Sequence, residues 1–165
     1  MGKGRGFTLI ELMVTIAVLA IVAMMAVPSF GNMVARQKLN AATRELTLAI
    51  NQAKSQAALM KTTVAVCLNR INTDDDFNKD KCATALIPGY AALANADQQE
   101  VRNTRVISVQ IDPQVAIEST SAEMILFNDV GSATTAETFS FCKSAQNRTI
   151  EVTRLGNVRQ VAGAC

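Results

Sequence analysis

The chain has 165 residues, 49% of them apolar, and a formal net charge of +2. It contains no histidine, which removes imidazole bases, histidine triads and histidine metal ligands, and its near-neutral balance gives no global attraction for nucleic acid. The four cysteines, Cys67, Cys82, Cys142 and Cys165, form an even set, as in a chain bound for an oxidising compartment.

The first element opens with a short basic leader, Met1 to Gly6, carrying Lys3 and Arg5. Phe7-Thr8-Leu9-Ile10-Glu11-Leu12 follows without a spacer, and the apolar run then continues to Phe30. Leu12 to Phe30 is long enough to approach the ~20 residues that cross hydrocarbon, and the leader would hold the amino end in the cytoplasm. A cleaved secretory signal fits less well, because its apolar region is shorter and ends at a small-x-small site. Here Ala23-Met24-Met25-Ala26 has the wrong spacing. Neither reading explains Glu11, since a carboxylate in a membrane helix costs about 2.5–3.5 kcal/mol at its centre and marks function by default.

The helix is expected to continue past the apolar run. Leu39, Ala42, Leu46, Ala49, Ala53, Ala57 and Met60 recur at steps of three and four, an apolar stripe that reads as core packing. Arg36, Lys38, Arg44, Glu45 and Lys54 lie off it. Helical from Phe7 to Met60, the element would reach ~80 Å. Pro28 and Gly31 should kink or loosen it.

From Thr62 the pattern changes to short β-prone runs between polar turns. Candidate strands are Thr63–Leu68, Arg105–Ile111, Val115–Glu118, Glu123–Phe127, Thr138–Cys142, Thr149–Arg154 and Val158–Val161. Asp112-Pro113 and Asp129-Val130-Gly131 read as turns, and Leu155-Gly156-Asn157 as a hairpin connection. The stretch from Arg70 to Pro88 lacks periodicity and is expected to be a surface loop pinned by Cys82. Four cysteines allow three pairings. Cys67–Cys82 and Cys142–Cys165 are favoured because each closes a local loop, the shorter worth ~3 kcal/mol of chain entropy. Zinc is disfavoured, since the closest cysteines are 15 apart.

No nucleophile, phosphate-loop or dinucleotide fingerprint occurs, so no cofactor or catalytic residue is expected. Asp76, Asn78 and Asp80 match the first three ligands of a calcium loop, but Lys81 and Ile87 stand where that loop needs Gly and Glu. No metal site is expected. Lys143, Arg148, Arg154 and Arg159 make a basic cluster near the end of the sequence, opposed by Glu151 alone.

Two segments carry a family resemblance. Gly6, then Phe7-Thr8-Leu9-Ile10-Glu11-Leu12, an apolar helix and Val27-Pro28-Ser29-Phe30 resemble the class III signal of type IV pilins and type II secretion pseudopilins. Met124 to Gly131 and Arg148 to Arg159 resemble the GspH/FimT/FimU group, with Asn157 where that group often has arginine.

The resemblance implies an α+β pilin fold: a long N-terminal helix, half transmembrane and half amphipathic, packed on a β-rich, sandwich-like head. It implies a leader at 1–6 cut by prepilin peptidase between Gly6 and Phe7, with methylation of Phe7. Residues 7–30 would form the membrane and filament-core helix, 31–61 its amphipathic half and 62–165 the head. Without Lys3 and Arg5 the side-chain charge falls to zero. Glu11 would pair with the free N-terminal amine of its own or a neighbouring subunit, because removing both charges from water is tolerable only if they pair. Pro28 would belong to the same assembly helix.

The expected function is that of a minor pilin in pilus assembly and twitching motility, not an enzyme. Its head would lie in the periplasm below an inner-membrane anchor until the subunit joins a pilus at the cell surface. Other major and minor pilins would be its partners through the helix. A GspH-type pseudopilin of type II secretion is the alternative. A DNA receptor for transformation, using Arg148, Arg154 and Arg159, is the reading from a different class.

Overall fold

The computed structural model describes residues 7–69 and 75–165, with 25–29 and 75–77 at the level of backbone alone. The leader, Gly6 included, lies outside them. Two compact units divide the chain, Met1–Ala35 and Arg36–Cys165. Helix α1, Leu9–Met60, is continuous through positions 25–29, including Pro28.

In the second unit α1 buries Leu39, Ala42, Leu46, Ala49, Ala53 and Ala57, with Ile50 added, as the three-and-four spacing requires. Met60 departs from the expected stripe and is 43% exposed. The helix is ending there: Lys61 takes φ 52° and the Thr62 amide reaches back to the Ala57 carbonyl at 3.3 Å, a left-handed cap that turns the chain.

Seven strands follow among the described residues. β1 (Val64–Asn69) lies between β2 (Val106–Gln110), which is parallel to it, and β4 (Met124–Phe127), which is antiparallel. β3 (Ala116–Ile117), β5 (Glu137–Lys143), β6 (Gln146–Val152) and β7 (Val158–Ala164) form an antiparallel sheet in that order. One core takes Val64, Val66, Val109, Ile125 and Phe127 from the first sheet, Phe139, Phe141, Ile150 and Val152 from the second, and the stripe of α1. The fold is α+β, a long helix packed on a mixed-sheet head.

The stretch from Arg70 to Pro88 is not the expected surface loop. Its described part contains α2 (Asp75–Leu86), followed by a 3-10 turn at Tyr90–Ala92 and α3 (Asn95–Arg105). These form the crossover that a parallel β1–β2 pair requires. They cover the other face of the first sheet: Ala65, Cys67 and Val106 pack against Cys82, Ala83, Ile87, Tyr90 and Val101. β1 is buried along its whole length, because both of its faces are covered.

Candidate functional site

In the first unit, α1 begins at a side-chain cap. The Thr8 hydroxyl accepts the Glu11 amide at 3.3 Å, and the Thr8 carbonyl accepts the Leu12 amide at 3.2 Å. Thr8 therefore satisfies one of the unpaired amides of the first turn. Glu11 stands in that turn, where the helix dipole favours a negative charge. It is the one ionisable side chain from Leu9 to Met24. Around it the apolar side chains are open on every side, with Leu9 at 78%, Ile10 at 68% and Leu19 at 65% exposure. Phe7 is likewise exposed. Among the described residues no helix is long and apolar enough to cross a membrane.

In the second unit the structure joins Cys67 to Cys82 and Cys142 to Cys165, with Cα separations of 6.3 and 6.0 Å. The first bridge ties β1 to α2 inside the crossover core. The second ties β7 back to β5 across β6.

The helix holds the second sheet by a row of polar contacts. Arg36 donates to Gln146 at 3.2 Å, Arg148 to Asn40 at 3.3 Å and Gln160 to Thr47 at 3.1 Å. Lys54 donates to the Gly156 carbonyl at 2.6 Å. Lys38 and Asp112 form an ion pair at 2.7 Å, which holds the Asp112 carboxyl below its usual range, helped by the Gln114 amide. Gly131 and Gly156 take φ of +77° and +73°, and both turns close onto the helix at Lys54.

The three sequence-predicted arginines do not converge. Arg148 lies opposite Phe141 and shares the core-facing side of β6 with Ile150. Arg159 lies opposite Glu151, hence on the other face of the sheet, with its Nε 3.9 Å from that carboxylate. Arg154 is exposed in the turn between them. Of the partial calcium pattern, Asn78 donates to Ser108 of β2 at 3.0 Å and Asp80 accepts from Tyr90 and Arg102, while the Asp76 side chain lies outside those described.

Residues 1–27 match the prokaryotic N-terminal methylation motif. Residues 42–156, more than two thirds of the chain, match the family described as type II transport protein GspH. The chain belongs to the GspH family. Two curated relatives of this GspH-family chain are type IV major fimbrial proteins FimA of Dichelobacter nodosus, each 33% identical over 64 residues. Those residues are 39% of this chain and 34% and 33% of the relatives, so the chain spans about a third of their length. Among solved structures it resembles the type IV minor pilin FimU of Pseudomonas aeruginosa, at 15% identity over 76% of this chain and 90% of that one, with a TM-score of 0.45.

This GspH-family head contains one polar cluster that the sequence reading missed. Tyr90, the chain's single tyrosine, donates to Asp80 at 2.5 Å, and Arg102 donates to both Asp80 and the Tyr90 oxygen, at 3.0 and 2.8 Å. The cluster ties α2, the 3-10 turn and α3 together. Burial, and then the hydrogen bond to Asp80, raise the Tyr90 pKa, while the bond to Tyr90 raises that of Arg102. Nearby, Arg105 donates to the Thr63 carbonyl at 2.9 Å and to the Thr63 hydroxyl, and burial lowers its pKa. The signal in the sequence was slight: a lone tyrosine in a polar stretch with acids and arginines at no fixed period.

Proposed function

We propose that this GspH-family chain is a minor pilin that primes or caps the assembly of a type IV pilus. The observation that carries the reading is the start of α1, capped by Thr8 and apolar on every side from Leu9 to Met24, with Glu11 as the one carboxylate of that stretch. A surface of that kind is stable only in lipid or against other apolar helices. Cleavage after Gly6 would leave an ammonium on Phe7, four residues before Glu11. Pairing with a neighbour's amine would then set the axial stagger of subunits, because a mismatch leaves a buried charge unpaired. Residues 7–30 would serve as the inner-membrane anchor before assembly and as filament core afterwards, 31–61 as the amphipathic half, and 62–165 as the head. Pro28 would give the helix its adjustment between those settings.

Mass spectrometry of filament-associated protein tests the processing: the chain should begin at methylated Phe7, and an intact leader in filaments would refute the reading. Glu11→Ala should leave a folded, membrane-resident subunit that crosslinks poorly to other pilins; normal incorporation would refute the pairing role. The match to the family named for a type II transport protein supports the second reading, a pseudopilin of the secretion machine. Deleting the gene separates the two, since loss of twitching with secretion intact favours the pilus. A DNA-receptor role is the weaker reading, as Arg148 and Arg159 lie on opposite faces.

A further inference from the structure

The two disulfides differ in what surrounds them. Cys67 and Cys82 are 3% and 2% exposed, inside the core between the first sheet and its helical crossover. Cys142 is half-buried on β5, and Cys165 is exposed just past the end of β7, an edge strand with no fully buried side chain. The first half of β7 has other anchors: Val158 packs on the core, Gln160 donates to Thr47, and the preceding turn is held by Lys54. Residues 161–165 have the backbone ladder to β6, the Cys165 amide on the Ala145 carbonyl at 3.3 Å, and the bridge to Cys142.

We propose that the Cys142–Cys165 bridge is a redox latch on β7, opened by small dithiols while Cys67–Cys82 stays closed. A thiolate of the dithiol attacks the exposed Cys165 sulfur; the Cys142–Cys165 bond breaks and Cys142 leaves as a thiolate. The second thiol of the reductant, as its thiolate, then attacks the mixed disulfide, closing the reductant's own S–S bond and releasing Cys165. The protein bridge is reduced by two electrons and the dithiol is oxidised by two.

Glu118 tunes the step. Its carboxylate oxygen and both sulfurs lie within 4.8 Å of one another, and Asn147 holds it by a hydrogen bond of 2.8 Å. A carboxylate beside the departing thiolate disfavours that anion and so keeps the latch closed. Once it opens, residues 161–165 leave β6, and the β6 edge over 146–149 is left unpaired, a template for a strand of another subunit.

The test uses the full-length chain in detergent with dithiothreitol as the reductant, followed by alkylation, peptide mapping and amide exchange. Cys142 and Cys165 should be alkylated without denaturant, Cys67 and Cys82 only with it. Exchange should rise over 161–165 and stop short of Gln160. Opening of both bridges together, no opening at all, or opening with unchanged exchange in β7 would each overturn the proposal. Glu118→Gln keeps the acceptor for Asn147 and removes the charge, so reduction should run at least about twofold faster; an unchanged rate would remove Glu118 from the mechanism.

Discussion

Replacing Gly156 with alanine would force a methyl group into the junction where two turns meet the helix. At φ +73° the residue is left-handed, which costs a side chain about 1–2 kcal/mol. The new Cβ would also stand 2.9 Å from Lys54 Cε and 3.1 Å from both Lys54 Nζ and the Gly131 carbonyl oxygen. The lysine must move, and its 2.6 Å bond to the Gly156 carbonyl is lost, another ~1.5–3 kcal/mol for a charged donor. The sum is about 2.5–5 kcal/mol. Gly89 is the control, left-handed at φ +76° with nothing within 4 Å of its Cβ, so Gly89→Ala should cost the backbone term alone. Tyr90 gives a fluorescence signal confined to the head, because the chain has no tryptophan and no other tyrosine. Urea unfolding of the full chain in detergent should lower the midpoint by about 1 M or more for Gly156→Ala relative to Gly89→Ala. In a Lys54→Ala background the excess should largely disappear. Equal losses at the two glycines, or an excess indifferent to Lys54, would refute the junction.

Tyr90→Phe should cost about 1 kcal/mol and remove an alkaline dependence of stability. Because the folded state raises the Tyr90 pKa, that contribution is intact below the ordinary tyrosine value and lost as pH rises through the raised one. Circular dichroism midpoints at about pH 8 and about pH 10.5 check the sign. For nucleic acid, Arg159→Gln should leave the salt dependence of duplex DNA binding unchanged, given its separation from Arg148 by the sheet; a slope flattened by about 0.9 would refute this.

Much of the head was legible because its strands alternate. Phe139 and Phe141, or Ile150 and Val152, mark one face at a period of two, and each observed strand overlaps a candidate run. The stripe of α1 was equally plain down to Ala57, and Met60 fails because a left-handed residue ends the helix. The crossover was not legible for physical reasons. α2 holds its core side chains through Cys82 and Ala83 amid lysines and an aspartate, and α3 buries Val101 alone. Neither has the apolar face by which helices announce themselves. The clue lay in β1, where Val64, Ala65, Val66, Cys67 and Leu68 are apolar at both parities. A strand of that kind needs a second covering layer, and the polar stretch after it was the available chain. The arginines needed strand register, since sequence distance does not say which face each one takes.

The polar row along α1 also decides how the head carries load. Arg36, Asn40, Thr47 and Lys54 are spread over 19 residues of helix, and their partners at 146, 148, 160 and 156 all belong to the β6–β7 hairpin. Tension applied along the helix axis strains these contacts in parallel, as shear, so no single one must bear it before the next engages. Force across the axis would peel them one after another. The head is therefore built to resist a pull along its own helix better than a sideways one.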